Sequence, residues 1–214
     1  MCATVIEPFR SGTDDPDREF TGKYEEAGLI GGWLLDRFYD SVRRLLRPHL
    51  HDGCSLLEVG CGAGFSSQRL LSWLPASGSF LGSDVGQTLL DKAACRNPGA
   101  SFVRQSVYEL AAPDKSVDII VMLEVLEHLD DPRRALAELR RVARQAVILS
   151  TPREPLWRFL NFCRGKYLLD FGNTPGHVQH WSSAGLCREV ASHFDVVGME
   201  RPVPWTVLSL QPRQ

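Results

Sequence analysis

Residues Ser55 to Leu71 read SLLEVGCGAGFSSQRLL. The stretch opens on an apolar run around Leu56, Leu57 and Val59. It then passes three glycines at alternate positions, Gly60, Gly62 and Gly64. It continues into a segment with Phe65, Leu70 and Leu71 on one helical side. Strand, glycine turn and helix in that order are the layout of a nucleotide-binding βαβ start. Glycine reaches backbone angles that a side chain forbids, and it lets a ligand approach the main chain. The N–H groups of Cys61 to Phe65 are expected to be free where the helix begins, ready for an electronegative ligand group.

The spacing discriminates between ligands. A dinucleotide fingerprint, G-x-G-x-x-G, puts its third glycine at position 65. That position holds Phe65, and the third glycine is Gly64. Glu58 stands two places before the first glycine. The resulting E-x-G-x-G-x-G resembles motif I of the class I S-adenosylmethionine-dependent methyltransferases. The resemblance implies that Glu58 lies near the cationic amino-acid end of the ligand. It also implies that Gly60, Cys61, Gly62 and Gly64 face the methionine and ribose portions.

Downstream, Ser79 to Val85 reads as a second strand ending in Asp84 and Val85. Asp84 lies twenty residues beyond Gly64. A carboxylate at the carboxyl end of the neighbouring parallel strand can accept hydrogen bonds from both hydroxyls of a ribose. A helix cap is its structural alternative. Strand 3 is expected over Ser101 to Val107. The resembled family often has an acidic residue there, whereas this chain has Ser106, whose hydroxyl can still bond an adenine edge beside Val107. Strand 4, Val117 to Met122, is nearly continuously apolar, as expected of a strand buried on both faces. A helix over Asp131 to Ala143, with Asp131 and Pro132 as cap and first turn, precedes strand 5 at Gln145 to Ser150.

This alternation predicts an α/β fold: a Rossmann-like, seven-stranded, mostly parallel sheet with helices on both faces. Ser182 to Phe194 reads as its last helix. Val196 to Met199 and Trp205 to Leu210 read as a C-terminal antiparallel hairpin. Ligands of such sheets bind at the carboxyl ends of the strands, where Glu58, Gly60, Asp84, Ser106 and Glu124 all fall.

Met122 to Leu129, MLEVLEHL, resembles the segment after strand 4 in small-molecule methyltransferases, including the ubiquinone and menaquinone biosynthesis enzymes. Glu124, Glu127 and His128 are spaced to share one face of a helical turn. Two carboxylates and an imidazole can hold a divalent metal if another ligand joins them, and His177 or His180 of GHVQHW is placed to do so. Without a metal, His128, His177 and His180 are the candidate general bases. The competing readings are that Glu124 lines the cofactor pocket, and that Glu127 and His128 cap and orient the next helix.

The whole chain of 214 residues suits a single methyltransferase domain over 21–214, after a flexible lead over 1–20. A helix over about Leu29 to Leu50 is expected from Leu34, Phe38, Val42 and Leu45, either over the ligand mouth or on the sheet edge. The insert over 151–181 is expected to cap the site. Pro155 to Leu168 would form an amphipathic helix, with Arg153 or Arg158 toward an anionic group. A homodimer surface or a membrane-surface helix are the other readings of its exposed aromatic and basic residues.

The net charge of −2 gives no electrostatic footprint for nucleic acid. Six scattered cysteines without a C-x-x-C pair point to reduced thiols and a cytoplasmic setting. No apolar run reaches transmembrane length. The expected function is S-adenosylmethionine-dependent methyl transfer to a small-molecule acceptor, with oxygen as the accepting atom. The rivals are a non-catalytic binding module on the same fold and a nicotinamide-dependent oxidoreductase. A nucleic-acid methyltransferase is opposed by the charge and by the lack of an N/D-P-P-Y type tetrapeptide after strand 4.

Overall fold

The computed structural model describes residues 29–157 and 178–213. The expected lead over 1–20, the Pro155–Leu168 helix beyond Trp157, and His177 lie outside the described residues. Among the described residues, seven strands form one sheet in the order β3-β2-β1-β4-β5-β7-β6. These are β1 (Ser55–Val59), β2 (Ser79–Asp84), β3 (Ser101–Arg104), β4 (Val117–Leu123), β5 (Ala143–Pro152), β6 (Phe194–Glu200) and β7 (Trp205–Pro212). Strands β1 to β5 pair in parallel, while β7 runs antiparallel to β5 and β6 antiparallel to β7. The strand order reverses between β1 and β4, and a crevice opens at such a switch point.

Alternation along the strands explains the two-sided core. Leu57, Val59, Ile120, Met122, Val147 and Leu149 face one side. There they meet Leu136 and Leu139 of α4 (Pro132–Val142) and Leu186 and Val190 of α5 (Ser183–Val190). Leu56, Ile119, Val121, Leu123 and Ile148 face the other. They meet Phe38, Val42 and Leu46 of α1 (Leu29–Leu46) and Leu70 of α2 (Phe65–Trp73). Helix α3 (Gln87–Arg96) buries Leu90 and Ala93 beside β2 and β3. The apolar run of β4 is continuous because both of its faces are covered.

The caps follow the sequence. Asp131 accepts a hydrogen bond from the Arg134 N–H at 3.1 Å, with Pro132 at the first position of α4. Ser182 does the same for the Gly185 N–H ahead of α5. Several boundaries differ from expectation, and the last helix, expected over Ser182 to Phe194, ends at Val190, with Phe194 opening β6. Strand β3 ends at Arg104: the Gln105 N–H makes the last bond to β2, at the Asp84 carbonyl, and Ser106 enters a tight turn closed by the Glu109 N–H. Helix α1 stops at Leu46, where Pro48 lies within a 3₁₀ turn over Arg47–His49.

At the amino ends of β1 and β4, Asp118 ties the strands together. It accepts from the Ser55 N–H and hydroxyl, both at 2.9 Å, and from Arg144 at 2.6 Å. Burial alone would raise its pKa, but the two Ser55 donors and the Arg144 guanidinium hold it below the usual aspartate range. Its stabilising contribution is therefore present above that range and lost as pH falls through it. Replacing Asp118 with Asn should cost about 1–3 kcal/mol at pH 7, and the deficit should shrink in acid. Thermal unfolding between pH 7 and 3 measures this, and a deficit constant with pH would contradict it.

Candidate active site

The chain leaves β1 through Gly60 into a turn bonded to β2. The Gly60 and Cys61 N–H groups both donate to the Ser83 carbonyl, at 2.8 and 2.9 Å. The Gly62 N–H donates to Asp84 Oδ2 at 3.0 Å, and the Gly86 N–H to Oδ1 at 2.9 Å. The Gly64 N–H closes onto the Cys61 carbonyl at 3.0 Å. The expectation of five free amides is therefore corrected. Those of Cys61, Gly62 and Gly64 are spent on holding the turn to β2 and to itself.

The three glycines have φ of +74°, +51° and +78°, a region that L side chains rarely adopt. Space forbids side chains as well. A Cβ at Gly60 would lie 2.3 Å from Val125 Cγ2, and one at Gly64 would lie 2.8 Å from the Ala93 backbone. Around Gly64 the side chains at the carboxyl end of α3, Arg96 and the capping Asn97, close the turn. The Asn97 amide donates to the Gly64 carbonyl at 2.9 Å, and Arg96 donates to the Ala63 carbonyl while stacking over the Phe65 ring. No spacing rule marks Arg96 or Asn97, and the sequence reading did not single them out.

Asp84 is oriented by two backbone amides, one on each oxygen. A carboxylate oxygen has a second lone pair, so the group can still accept from a diol. Val85 beside it is 63% exposed. Glu58 sits differently. It is 1% exposed beneath the turn, and it accepts from the Ser67 hydroxyl of α2 at 2.5 Å. Burial pushes its pKa up to about 7, against the pull of Ser66 and Ser67 and with a smaller push from Asp84. Cys61 is also buried, and desolvation followed by the charges of Glu58 and Asp84 pushes its thiol up.

On the other wall, β4 ends at Leu123 and Glu124 turns the chain with φ of +58°. Its carboxylate takes the Ser150 hydroxyl at 2.7 Å and the Trp205 indole N–H at 2.8 Å. The Trp205 ring in turn packs at a tilt against Phe38, at a ring distance of 4.9 Å, and against Trp157, at 5.9 Å. Neither Ser150 nor Trp205 was expected to partner Glu124, since they are 26 and 81 residues away in sequence.

The turn Leu126–His128 follows. Glu127 is 2% exposed, while His128 is exposed at the turn's end. The Val178 and Gln179 N–H groups both donate to the Glu127 carbonyl, so the chain leading to the exposed His180 runs against this turn. Of the expected metal set, His177 lies outside the described residues. Among them, no group of three or more His, Cys, Asp or Glu side chains could hold a metal ion. The left-handed turn at Glu124 breaks the single helical face that would have aligned Glu124, Glu127 and His128.

Ser106 does not extend β3. Its hydroxyl accepts from the Tyr108 N–H at 3.2 Å, and Val107 is buried in the core. The flanks of the 158–177 segment are joined at the carboxyl edge of β5. The Glu154 N–H donates to the Trp181 carbonyl at 3.0 Å, and the Arg153 N–H to the Pro204 carbonyl at 2.8 Å. Among the described residues no helix is long and apolar enough to cross a membrane.

Because the raised Glu58 pKa means that the folded chain binds its proton more tightly, stability is fully present below about 4.5 and declines as pH rises through about 7. The variant Glu58→Gln, which keeps an oxygen for Ser67, should lack this decline. It should gain up to about 3 kcal/mol on the wild type between pH 4 and 8. Denaturant unfolding against pH checks this, and parallel curves for the two proteins would refute it.

Comparison with known proteins agrees with this geometry. A family model described as a methyltransferase domain matches residues 57–150, from β1 through most of β5. A Mycobacterium tuberculosis protein described as a probable S-adenosylmethionine-dependent methyltransferase is 32% identical over 163 residues, covering 71% of this chain and 58% of that protein. A ubiquinone biosynthesis O-methyltransferase of Methylococcus capsulatus is 28% identical over 69% of this chain and 66% of its own length. The chain thus spans less than two thirds of either relative. A crystal structure of a SAM-dependent methyltransferase from Aquifex aeolicus superposes with a TM-score of 0.64 at 20% identity, over 80% of this chain and 89% of that one, which shows a shared fold.

Proposed function

We propose that this chain, which belongs to the class I S-adenosylmethionine-dependent methyltransferase family, transfers the methyl group of S-adenosylmethionine to a small-molecule acceptor at an oxygen atom. The observation that carries the reading is the Asp84 carboxylate. It is held by the Gly62 and Gly86 amides at the carboxyl end of β2, beside a turn in which Gly60 and Gly64 have no room for a side chain. A ribose diol is the ligand chemistry that suits it.

When bound, the cofactor supplies a sulfonium methyl that is already electrophilic, so the protein's main tasks are orientation and exclusion of water. Asp84 accepts the ribose hydroxyls, and Val85 borders the base with Ser106 and Val107. Gly60, Cys61, Gly62 and Gly64 form the backbone surface along the nucleoside and methionine portions. Glu58 lies beneath that surface. Its carboxyl, poised near neutrality, gains charge when an ammonium group approaches. Glu124 shapes the opposite wall with its backbone.

A neutral imidazole, His128 or His180, takes the acceptor's hydroxyl proton at a ring nitrogen as the oxygen becomes the nucleophile. The pairing of the 178–180 chain with the Glu127 carbonyl supports grouping these two histidines. The relative named as a ubiquinone biosynthesis O-methyltransferase supports oxygen as the accepting atom. The half-buried Trp157, packed against the core ring of Trp205, supports an apolar or planar acceptor.

The test follows labelled methyl from S-adenosylmethionine into a panel of phenolic and carboxylic small molecules. The wild type should label at least one, with the label lost to ether-cleaving or ester-cleaving treatment. Asp84→Asn turns one acceptor oxygen into a donor, and it should reduce transfer about a hundredfold at limiting cofactor. Labelling of nucleic acid or protein alone would contradict the acceptor class.

A further inference from the structure

We infer that Trp205, in the C-terminal hairpin, is a positioning residue for the glycine turn and acts on it through Glu124. The inference rests on the nucleoside reading of that turn. Four observations form one chain of contacts. The Trp205 indole N–H donates to Glu124 Oε2 at 2.8 Å. The Ser150 hydroxyl donates to Oε1 at 2.7 Å, and the Glu124 N–H is 3.1 Å from the same hydroxyl oxygen. Glu124 has φ of +58°, a conformation a non-glycine residue keeps only when its surroundings over-determine it. The next residue, Val125, occupies the space in front of Gly60 that a Cβ there would need.

Both carboxylate oxygens of Glu124 are clamped from β5 and β7, so the left-handed turn after β4 has one arrangement. That arrangement fixes where Val125 stands, and Val125 backs the first glycine of the cofactor turn. Trp205 is itself held at the start of β7, paired with Pro152 and in tilted ring contact with Phe38 and Trp157. The hairpin therefore sets the cofactor turn at a distance. The anchoring rings of α1 and of the residue preceding the 158–177 segment converge on the same indole.

The experiment uses the full chain and two readouts. Trp205→Phe keeps a ring for the aromatic contacts and removes the N–H. Glu124→Gln keeps an oxygen that can accept from the indole. Val190→Ala in α5 removes core volume away from the network and serves as the control for general destabilisation. The first readout is calorimetric titration with S-adenosylhomocysteine. Trp205→Phe should bind about tenfold more weakly, about 1.4 kcal/mol. Glu124→Gln should lose less, and Val190→Ala should bind as the wild type does.

The second readout, amide hydrogen exchange at Gly60 to Gly64, needs no ligand. Trp205→Phe should accelerate it about tenfold relative to Val190→Ala. Unchanged exchange at the turn in Trp205→Phe overturns the inference, as does equal weakening of binding by Val190→Ala. A wild type that does not bind S-adenosylhomocysteine overturns the nucleoside reading instead. The exchange comparison still decides the mechanical link in that case.

Discussion

The structure depends on the bond between a glycine turn and the strand beside it. The Ser83 carbonyl accepts from two successive amides, Gly60 and Cys61, and the Asp84 side chain accepts from the next, Gly62. A turn pinned at three consecutive N–H groups has little freedom left, and its φ values of +74°, +51° and +78° follow. Buried amides must be paired, so an arrangement that freed them for a ligand would need water or the ligand at all times. The protein instead spends them on itself and leaves the carboxylate of Asp84, already aimed by two donors, as the group with remaining capacity.

The opposite wall of the crevice is built on the same economy. Glu124 ends β4, and its charged side chain is consumed by Ser150 and Trp205 rather than offered to solvent. Its backbone makes the turn that lets Val125 approach Gly60. The two walls meet at that contact, which is why the first glycine tolerates no Cβ. Glu58 lies below, its pKa raised to about 7 because burial outweighs the hydroxyls that serve it. The electrostatics of the site are thus divided: a buried acid that titrates near 7 under the turn, and a half-exposed carboxylate at its rim.

Much of the fold was legible because its signals are local. The alternation of Leu56 and Leu57 between faces, the apolar run Ile119 to Leu123, and the Asp131–Pro132 cap each reflect rules that act within a few residues. The glycine spacing and Asp84 were legible for the same reason, being separated by one βαβ unit of standard length. The partners of Glu124 were not, since Ser150 and Trp205 reach it only through the pairing of β4 with β5 and of β5 with β7. The free amides failed as an expectation because a motif shows which residues form a turn but not where their hydrogen bonds go. The arrangement of Glu124, Glu127 and His128 was not legible for a related reason. Three polar residues at helical spacing share a face only if the backbone is helical, and Glu124 is not.

The most direct test of the account is calorimetric titration of S-adenosylhomocysteine into the wild type and into Asp84→Ala, with folding of both verified by melting. The account predicts saturable one-site binding to the wild type and its loss in Asp84→Ala. Equal affinity for the two proteins, or none for a folded wild type, would contradict the claim that the clasped glycine turn and Asp84 form a nucleoside site.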